Sequence, residues 1–395
     1  MGVLDGIRVV EWASWLSVPS AASMLGDLGA DVIKIEDPVR GDPSRGMQSG
    51  GLPGGRGIAY ETVNRNKRGM TLNLGEPDGQ RILHELVADA DVFMTSYSRP
   101  LTRSVAADYA TLSERNDQLV YGYGGSGWGP EGPESNRRAY DVLMQGISGM
   151  MWSTGDARSG IPETVAGGPI DMASGMSLGY AVLAALLARE RGDCGGQEVT
   201  SSLLGIALHL QALNVNTTLW TGKPIDRFTD TFGSPMLSYY RCADEQWIII
   251  CEPQLERHWP EFCAALDLDR ETADAALAAE TTRELLDGCF GRQPRKRWLE
   301  RFERLECRFA HGPVNTMEEA THTLQVLAND YVTDLNHPTL GPGKTLGFPM
   351  SFSKADCRIR RPACDFGEHT EEILLESCDS SWDEIADLKK RGVIA

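Results

Sequence analysis

The sequence lacks both a long hydrophobic run and an apolar N-terminal segment. The longest apolar stretch of its 395 residues, Tyr180 to Ala188, is nine residues long and ends at Arg189. A run of that length is too short to cross a bilayer. Asp5 and Arg8 fall where a secretory signal needs an uninterrupted apolar core. We therefore expect a cytoplasmic protein with no membrane partner.

Paired cysteines, metal motifs and an excess of positive charge are also missing. The nine cysteines are scattered, with no C-x-x-C pair, so we expect reduced thiols rather than a disulfide framework or a structural zinc site. The seven histidines form no metal-binding pattern, and no Walker A, G-x-S-x-G or H-E-x-x-H motif occurs. The net charge of −18 disfavours nucleic acid as a partner. The composition is that of a globular protein, and the length predicts two or three domains.

Short apolar runs alternate with helical patterns in the first half of the chain. The spacing predicts helices at residues 20–28 and 77–88 and a long third helix from Asp171 to Arg191. Strands are predicted at residues 7–12, 31–35, 70–74, 91–94 and 118–121. Strands separated by helices favour an α/β fold with a parallel sheet.

The character of the chain changes near residue 221. Residues 221–235 are polar and contain Gly and Pro, which is typical of a linker between domains. Beyond this linker, the patterns indicate two strands within residues 237–251, helices over 255–304, and loops with short strands over 329–361.

Residues Gly122 to Gly127 read G-x-G-x-x-G after a predicted strand. A dinucleotide site also needs a helix that opens at the third glycine, with its N-terminus at the pyrophosphate. Trp128, Pro130 and Pro133 follow instead, so we interpret the segment as a glycine-rich loop.

Asn64 to Arg68 reads N-R-N-K-R and places three cations in five residues of an acidic chain. Such a cluster can bind phosphate through charge-assisted hydrogen bonds. A solvated basic loop is the alternative that composition favours. The pair Arg137-Arg138 leaves the same two alternatives open.

Asp171 is the strongest candidate for a functional residue. It stands between Gly167-Gly168-Pro169-Ile170 and the long predicted helix, where it would cap the helix N-terminus and stay ionised. An ionised, partly desolvated carboxylate can attack an activated acyl group, whereas spacing alone favours an ordinary helix cap. Ser174 and Gly175 are small neighbours that suit a close-approaching acyl group.

Several blocks of the sequence together resemble the family III CoA-transferases, which include formyl-CoA, carnitine and bile-acid CoA-transferases and α-methylacyl-CoA racemase. The family's N-terminus is similar to residues 4–45, and its next blocks to NRNKRGMTLNL (64–74), TSYSRP (95–100) and AYDVLMQGISGMM (139–151). Its central and C-terminal blocks are similar to residues 170–199, HPTLG (337–341) and GEHTEEIL (367–374). The blocks keep the family's order over nearly the whole chain, which makes their combination specific.

The resemblance implies an α/β fold with a Rossmann-like large domain, formed by both chain ends, and a smaller inserted α+β domain. The corresponding segments are residues 1–220 and 326–395 for the large domain, and residues 221–325 for the inserted domain with its linkers. An interlocked homodimer, in which two subunits are threaded through each other, is also implied.

Individual roles follow from the same resemblance. Asp171 matches the family's nucleophile, although Ile170 stands where the family commonly has Gly. At Asp37 some members carry an arginine that contacts CoA. No permanently bound cofactor or metal is implied, and the expected partners are acyl-CoA and a carboxylic acid. Segments similar to the family's CoA contacts contain Leu16, Ser17, Leu72, Asn73, Leu74, Gly75, Ser96, Tyr97, Ser98, Arg103, Arg138, Ala139, Tyr140 and Asp141.

The implied reaction is covalent. Asp171 attacks the donor thioester and gives a mixed anhydride and CoA thiolate, which then converts the aspartyl group to a CoA thioester. The acceptor carboxylate attacks that thioester, and the thiolate finally returns to the acceptor acyl group. We expect backbone N–H groups near Ser174 and Gly175 to stabilise the oxyanions.

Other functions stay open. In the racemase branch a His precedes the Asp near residue 141 and takes part in α-proton transfer, but Tyr140 stands here. A member that binds acyl-CoA without turnover, and a lyase coupled to transfer, are the further alternatives. The donor and acceptor acids are also open. A roomy apolar pocket is indicated by Trp15, Trp152 and Met150-Met151, and residues 232–236 occupy the region of the loop that covers the site in some members.

Overall fold

The computed structural model describes residues 1–47, 52–155, 159–223, 225 and 234–395. The chain forms two compact units. One contains Met1–Met151, Thr164–Ile225 and Leu327–Ala395, and is therefore built from both chain ends. The other contains Trp152–Glu163 and Asp226–Val326. Most of the predicted linker at residues 221–235 lies outside the described residues.

A parallel sheet of six strands lies at the centre of the first unit. Its strands have the spatial order β3-β2-β1-β4-β5-β6, and every neighbouring pair is parallel. The predicted α/β class with a parallel sheet is confirmed. The order reverses between β1 and β4, and in such sheets ligands bind beyond the carboxyl ends of the strands at that point. The strands are β1 (Arg8–Trp12), β2 (Asp31–Glu36), β3 (Lys67–Thr71), β4 (Val92–Thr95), β5 (Val120–Tyr123) and β6 (Glu198–Thr200).

Helices of the first 225 residues connect these strands. The predicted helix at residues 77–88 is confirmed at both ends, and the other two predicted helices begin two or three residues earlier than expected. The helices are α1 (Ser17–Asp27), α2 (Ile58–Val63), α3 (Pro77–Ala88), α4 (Arg99–Ser104), α5 (Tyr109–Ser113), α6 (Asp141–Ile147), α7 (Met150–Thr154), α8 (Pro169–Glu190), α9 (Leu203–Leu210) and α10 (Ala212–Thr221). Two short 3-10 turns, Pro43–Gly46 and Pro53–Gly55, follow β2.

The second unit combines a small antiparallel sheet with helices around an aromatic core. Its strands pair in the order β7-β8-β9, and the core contains Phe262, Phe290, Trp298 and Phe302. The strands are β7 (Leu237–Arg241), β8 (Trp247–Cys251) and β9 (His311–Pro313), and the helices between residues 255 and 328 are α11 (Leu255–Ala265), α12 (Arg270–Ala278), α13 (Thr282–Phe290), α14 (Arg295–Arg304), α15 (Met317–Thr321) and α16 (Leu324–Ala328).

The chain then returns to the first unit through an antiparallel hairpin and two helices. These elements are β10 (Val332–His337), β11 (Gly341–Leu346), α17 (Thr370–Ser377) and α18 (Trp382–Lys390). Ile373 and Leu374 of α17 and Ile385 of α18 are buried in the same core as α3 and the sheet. The C-terminal helices are thus part of the large unit's core.

Successive side chains of the parallel strands enter two different cores. Val10, Ile33 and Phe93 pack on one face of the sheet with α3, α17 and α18. Their neighbours Val9, Val32 and Val92 pack on the other face with α1 and α8. Both faces are covered, as expected for a parallel sheet.

Strand β3 departs from the sequence prediction. We predict residues 70–74, whereas the strand spans Lys67–Thr71. Its charged first residues are buried and paired inside the protein, so a search for apolar residues misses the start of the strand. Leu72 and Leu74 are buried just beyond its end, which explains why the pattern appears shifted.

Helix α8 bears on the expectation that no membrane-spanning segment is present. Within the described part of the chain it is the one helix that is long and apolar enough to cross a membrane by length and composition. Leu178, Val182 and Leu186 pack in the core with α1 and the sheet. A helix in a protein core passes the same test, so the finding alone assigns no membrane.

Candidate active site at the carboxyl edge of the sheet

The loops that follow β1 and β4 meet where the strand order reverses. The backbone N–H of Ser14 donates to Ser96 Oγ at 3.0 Å, and that hydroxyl donates back to the Ser14 carbonyl at 3.3 Å. These bonds place Leu16 and Ser17, at the start of α1, on the same edge as the segment Ser96 to Ser98. Two separate sequence segments assigned to CoA contacts are therefore neighbours in the fold.

A buried ion pair holds the loop after β1 in a strained conformation. Trp15 has a φ of 72°, a region that bulky residues rarely adopt. Its backbone N–H donates to Asp42 Oδ1 at 3.2 Å, while Asp42 Oδ2 accepts from Lys34 Nζ at 2.9 Å. Lys34 also donates to the Ala13 carbonyl at 3.0 Å. The network fixes the path of the chain immediately before Leu16.

Asp171 lies in the first turn of α8 rather than at its N-cap. Gly168 is the N-cap, with a left-handed φ of 66°, and Pro169 is the first helical residue. Proline suits that position because its missing N–H would have no partner inside the helix. The predicted capping role of Asp171 is therefore wrong.

The carboxylate that caps α8 belongs to Asp141, at the start of α6. Asp141 Oδ2 accepts the backbone N–H groups of Ile170 at 2.7 Å and Asp171 at 3.0 Å. Its other oxygen, Oδ1, accepts from Gln145 Nε2 at 2.6 Å. Val165 fixes that amide, because its N–H and carbonyl pair with Gln145 at 2.8 and 2.9 Å. One carboxylate thus joins α6 to the first turn of α8.

The environment of Asp171 favours its neutral form. Burial, followed by the nearby negative charge of Asp141, raises the pKa of Asp171 to about 7. The expectation that helix N–H groups keep Asp171 ionised is wrong, because Asp141 accepts those groups instead. A carboxyl group with a pKa near the working pH can serve as a nucleophile or as an acid–base group.

Ser174 and Gly175 do not have the roles expected from the sequence. A Cβ on Gly175 would clash with Ser20 Oγ and lie 2.6 Å from the Ser17 carbonyl, so the glycine permits close packing of α8 on α1. The buried Ser174 hydroxyl lies 3.2 Å from Ser201 Oγ. Both residues are inside α8, where backbone N–H groups bond within the helix. The expectation that these N–H groups stabilise oxyanions is wrong.

Leu16 and Tyr140 lie beside the carboxyl pair. A Cβ built on Gly168 would lie 3.7 Å from Leu16 Cδ1, 3.9 Å from Asp141 Oδ2 and 4.0 Å from Asp171 Cβ. The Tyr140 ring contacts Trp15 edge-on, with centroids 6.2 Å apart. The half-buried Leu16 and the exposed rings of Trp15 and Tyr140 give the site an apolar border.

In the segment after β3 that the resemblance assigns to CoA, residues 72–75, the accessible groups are mainly those of the backbone. Leu72 and Leu74 are buried in the core, so their side chains are not available to a ligand. Asn73 is half-buried, with its side-chain carbonyl accepting from the N–H of Gly75 at 3.0 Å. Gly75 is exposed. At this segment, the groups accessible to a ligand are therefore Asn73, Gly75 and the backbone.

Two arginines assigned to CoA face solvent. Arg103 lies in the last turn of α4, and Arg138 precedes Ala139 and α6. Both are exposed, and within the described residues neither forms an ion pair with a carboxylate. In a chain with a net charge of −18, such unneutralised cations are suited to a phosphorylated ligand.

The basic segment Asn64 to Arg68 is neither a phosphate site nor a solvated loop. Arg65 pairs with Asp27 at 2.6 Å, Lys67 with Glu11 at 2.6 Å, and Arg68 with Asp31 at 2.6 Å. Both alternatives considered from the sequence are wrong, because the partners come from distant segments that a local charge pattern does not reveal. The segment stabilises the sheet.

The glycine-rich segment after β5 is a packed loop, which confirms its interpretation. The next helix begins at Asp141, so no helix opens at the third glycine. A Cβ on Gly124, Gly125 or Gly127 would clash with Val18, the Tyr97 carbonyl or Ala139, respectively. The glycines let the segments after β4 and before α6 approach closely.

The residues expected to indicate an acyl pocket have different surroundings in the structure. Met150 is buried with Met144 and Ile170 in a small core cluster, so it supports the start of α8 instead of lining a pocket. Trp152 belongs to the second unit. Phe232 and Gly233 lie outside the described residues, and Met236 is buried in the core of the second unit.

Sequence reasoning misses Gln145, Asp42 and Lys34 as parts of the site. The spacing of Asp141 and Gln145 by four residues on a helix is a recognisable hydrogen-bonding pattern, and it is the one local signal available. Asp42 and Lys34 act through contacts between separate strands and loops, which no local pattern indicates.

The site belongs to an α/β protein whose acidic pair lies beside the crevice where the strand order reverses. The family described as CoA-transferase family III matches residues 4–370. The chain therefore belongs to CoA-transferase family III, and it is an enzyme of the CoA-transferase class.

Individual relatives are similar over almost their whole length. Succinyl-CoA:glutarate CoA-transferase of Mus musculus is 29% identical over 404 residues, covering 100% of this chain and 91% of that protein. Cinnamoyl-CoA:phenyllactate CoA-transferase of Clostridium sporogenes is 27% identical over 409 residues, covering 98% and 96%. The crystal structure of a CAIB/BAIF family protein from Brucella suis has a TM-score of 0.83 and 26% identity, covering 95% of this chain and 99% of that one.

Proposed function

We propose that this enzyme transfers CoA from an acyl-CoA donor to a carboxylic acid acceptor through covalent intermediates at Asp171. The observation that carries the proposal is the position of Asp171, in the first turn of α8, with its pKa raised to about 7. The carboxyl group is available to react at neutral pH and is not neutralised by a cation, since its charged neighbour is Asp141.

The proposed reaction conserves the thioester bond energy. A carboxylate oxygen of Asp171 bonds to the donor carbonyl carbon while the C–S bond breaks, which gives a mixed anhydride and CoA thiolate. The thiolate attacks the Asp171 carbonyl carbon and releases the donor acid as its carboxylate. The acceptor carboxylate then displaces the thiolate from Asp171, and the thiolate takes the acceptor acyl group from the new anhydride and restores Asp171.

The CoA moiety is proposed to lie along the carboxyl edge of the sheet. Arg103 and Arg138 supply charge for its phosphates, because both are exposed and lack ion-pair partners within the described part of the chain. The loops that carry Ser14 and Ser96 are hydrogen-bonded to one another at the strand reversal, and we propose that this arrangement directs a bound thioester toward the start of α8. Ala139 and Tyr140 complete the contacts proposed for this edge.

A second copy of the chain is proposed to cover an exposed apolar surface of the first unit. On α8, Met176, Tyr180 and Leu187 are exposed, Tyr180 by 75%. On α10, Leu213 and Trp220 are exposed, Trp220 by 88%. Exposed apolar groups of this size are typical of interaction surfaces when they adjoin one another. An interlocked homodimer would bury these side chains. Light scattering of the purified protein tests for a dimer, and the expected mass is twice that of the 43.2 kDa chain.

Racemisation is the second candidate, favoured by one specific observation. A carboxyl group with a pKa of about 7 is suited to moving a proton at the α-carbon of an acyl-CoA. Tyr140, which stands at the N-cap position of α6 beside Asp141, would have to serve where the racemase branch uses a histidine. Transfer is the better-supported function because it requires only the carboxyl group itself.

A substrate panel in deuterated water distinguishes the candidates. Succinyl-CoA, cinnamoyl-CoA and acetyl-CoA are each mixed with a set of carboxylic acids, and new acyl-CoAs are detected by mass spectrometry. Transfer predicts a new acyl-CoA whose formation is lost in Asp171→Asn. Deuterium at the α-carbon of the starting thioester, with no new acyl-CoA, would instead support racemisation. CoA binding without either reaction would identify a binding-only protein.

A further inference from the structure

Asp141 was assigned to CoA contacts, but its hydrogen bonds indicate a different task. Both of its oxygens are occupied within the protein, Oδ2 by the N–H groups of Ile170 and Asp171 and Oδ1 by Gln145. Asp141 is also buried. A carboxylate whose acceptor positions serve the protein in this way is poorly placed to bind an incoming ligand.

The bonding pattern requires a carboxylate at position 141. The Gln145 amide cannot turn, because Val165 pairs with both its oxygen and its nitrogen. Gln145 therefore presents an N–H to Asp141, while α8 presents two more from the other side. An asparagine has only one acceptor atom and cannot satisfy both groups, whereas a carboxylate satisfies them with separate oxygens.

We propose that Asp141 is a positioning residue whose fixed negative charge favours the acylated form of Asp171 over the free carboxylate. The inference rests on the proposed covalent function. When free Asp171 ionises, it places a second negative charge next to Asp141. Either covalent intermediate, the anhydride or the CoA thioester, leaves Asp171 uncharged and removes that repulsion. Asp141 also positions the reacting residue, since the backbone N–H of Asp171 donates a hydrogen bond to Asp141 Oδ2.

Within the described residues, Asp141 is the charged group that acts on Asp171, and burial is the other contribution. Neutralising Asp141 therefore removes the charge repulsion that raises the pKa of Asp171, whereas the contribution of burial to that pKa stays. Because a neighbouring like charge changes the pKa of a carboxyl group by about one pH unit or more, the effect is large enough to measure.

The first measurement follows the ionisation of Asp171 without substrate. Infrared difference spectra recorded against pH contain the Asp171 acid band, identified by its loss in Asp171→Asn. Wild-type protein should titrate near pH 7, and Asp141→Asn should titrate about one pH unit lower or more. Asp141→Ser is a second neutral variant, whose hydroxyl oxygen still accepts a helix N–H group if the amide variant folds poorly.

Gln145→Leu is the matched control. It removes the bonds to Asp141 and Val165, and thus part of the structural support, but keeps the charge of Asp141. Its Asp171 midpoint should stay near that of the wild type. An equal midpoint in wild type, Asp141→Asn and Asp141→Ser would overturn the inference and leave Asp141 with a structural role only.

The second measurement is the rate of Asp171 acylation in a single turnover at pH 8. Asp141→Asn should acylate more slowly than wild type, by up to about tenfold, since one unit of pKa corresponds to at most a factor of ten in the reactivity of the carboxylate. Equal rates and equal amounts of adduct in both proteins would overturn the inference while supporting the proposed function. No adduct in the wild type would overturn both, so the two failures are distinguishable.

Discussion

Lys34 and Asp42 form a fully buried ion pair, with Nζ and Oδ2 2.9 Å apart, directly beneath the loop that leads to the active site. The other Asp42 oxygen accepts the backbone N–H of Trp15, whose φ is positive. Buried charges therefore support a strained segment next to the proposed CoA contacts.

Loss of this buried pair should destabilise the protein strongly. Asp42→Asn leaves the charge of Lys34 without one of its two carboxylate partners, the other being Glu11 at 3.2 Å. Breaking a buried pair in this way costs about 3 kcal/mol. Chemical denaturation should show that decrease in the free energy of unfolding.

Asp334→Asn is the control for this prediction. Asp334 pairs with Lys344 at the same distance of 2.9 Å, but both side chains are exposed. Removal of such a pair should change the free energy of unfolding by less than about 1 kcal/mol. Similar losses in the two variants would contradict a special role for the buried pair.

The two glycines of α8 should respond to alanine in opposite directions. Gly175→Ala adds a methyl group against α1 and should cost about 1–3 kcal/mol through overpacking. At Gly179 a Cβ meets nothing within 4 Å, so Gly179→Ala should be neutral or gain up to about 1 kcal/mol from helix propensity. Thermal unfolding of both variants measures the contrast, and a destabilised Gly179→Ala with an unaffected Gly175→Ala would contradict the packing.

Asp171 should cost the protein stability at neutral and alkaline pH. The folded protein keeps the Asp171 proton up to about pH 7, whereas the ordinary value for the carboxyl is 3.8. The folded state therefore binds more protons between these values, and stability falls as the pH rises through this window. Asp171→Asn removes that dependence.

Melting temperatures at several pH values measure this effect. Asp171→Asn should exceed the wild type at pH 8, and the difference should shrink as the pH falls toward 4. A variant that melts below the wild type by the same amount at every pH would contradict a stability cost from the Asp171 charge.

CoA affinity should depend on Arg103 and Arg138. Replacing either with Gln removes an exposed, unpaired cation from the carboxyl edge, and each replacement should weaken CoA binding by about threefold to tenfold. Isothermal titration calorimetry gives the affinities, and the wild-type affinity should fall as salt is added.

Arg81→Gln is the matched control, since Arg81 is an exposed arginine of α3 that pairs with Asp78 and Glu85. It has the same change in net charge and should leave the affinity unaltered. Equal effects at Arg81 and Arg138 would indicate a general charge effect without a phosphate site at the carboxyl edge.

Local sequence patterns predict those helices and strands in which the apolar residues are the buried ones. The helix Pro77–Ala88 follows its amphipathic spacing, and β7 and β8 lie inside the predicted residues 237–251. The hydrophobic pattern does not predict where β3 begins, because Lys67 and Arg68 are charged residues that are buried through ion pairs with distant residues. Charge at a position predicts exposure only when no partner is available in the fold.

The candidate site was predicted less completely than the fold. The sequence predicts Asp171 as the reactive group, but the place of this residue in the helix depends on the left-handed Gly168 and on Pro169. Its ionisation depends on Asp141, thirty residues earlier in the chain. A sequence pattern describes neighbours along a helix, and this interaction arises only when α6 packs against the start of α8.

The most direct test of the central claim is the mass of the intact protein during turnover. The enzyme is mixed with each acyl-CoA, quenched, treated with hydroxylamine or borohydride, and digested for peptide mapping. We predict a modification on the peptide that contains Asp171, with none in Asp171→Asn and an unchanged adduct in Asp108→Asn, where a different helix loses its capping carboxylate. Acyl transfer that proceeds without any adduct at Asp171, or that persists in Asp171→Asn, would contradict the account.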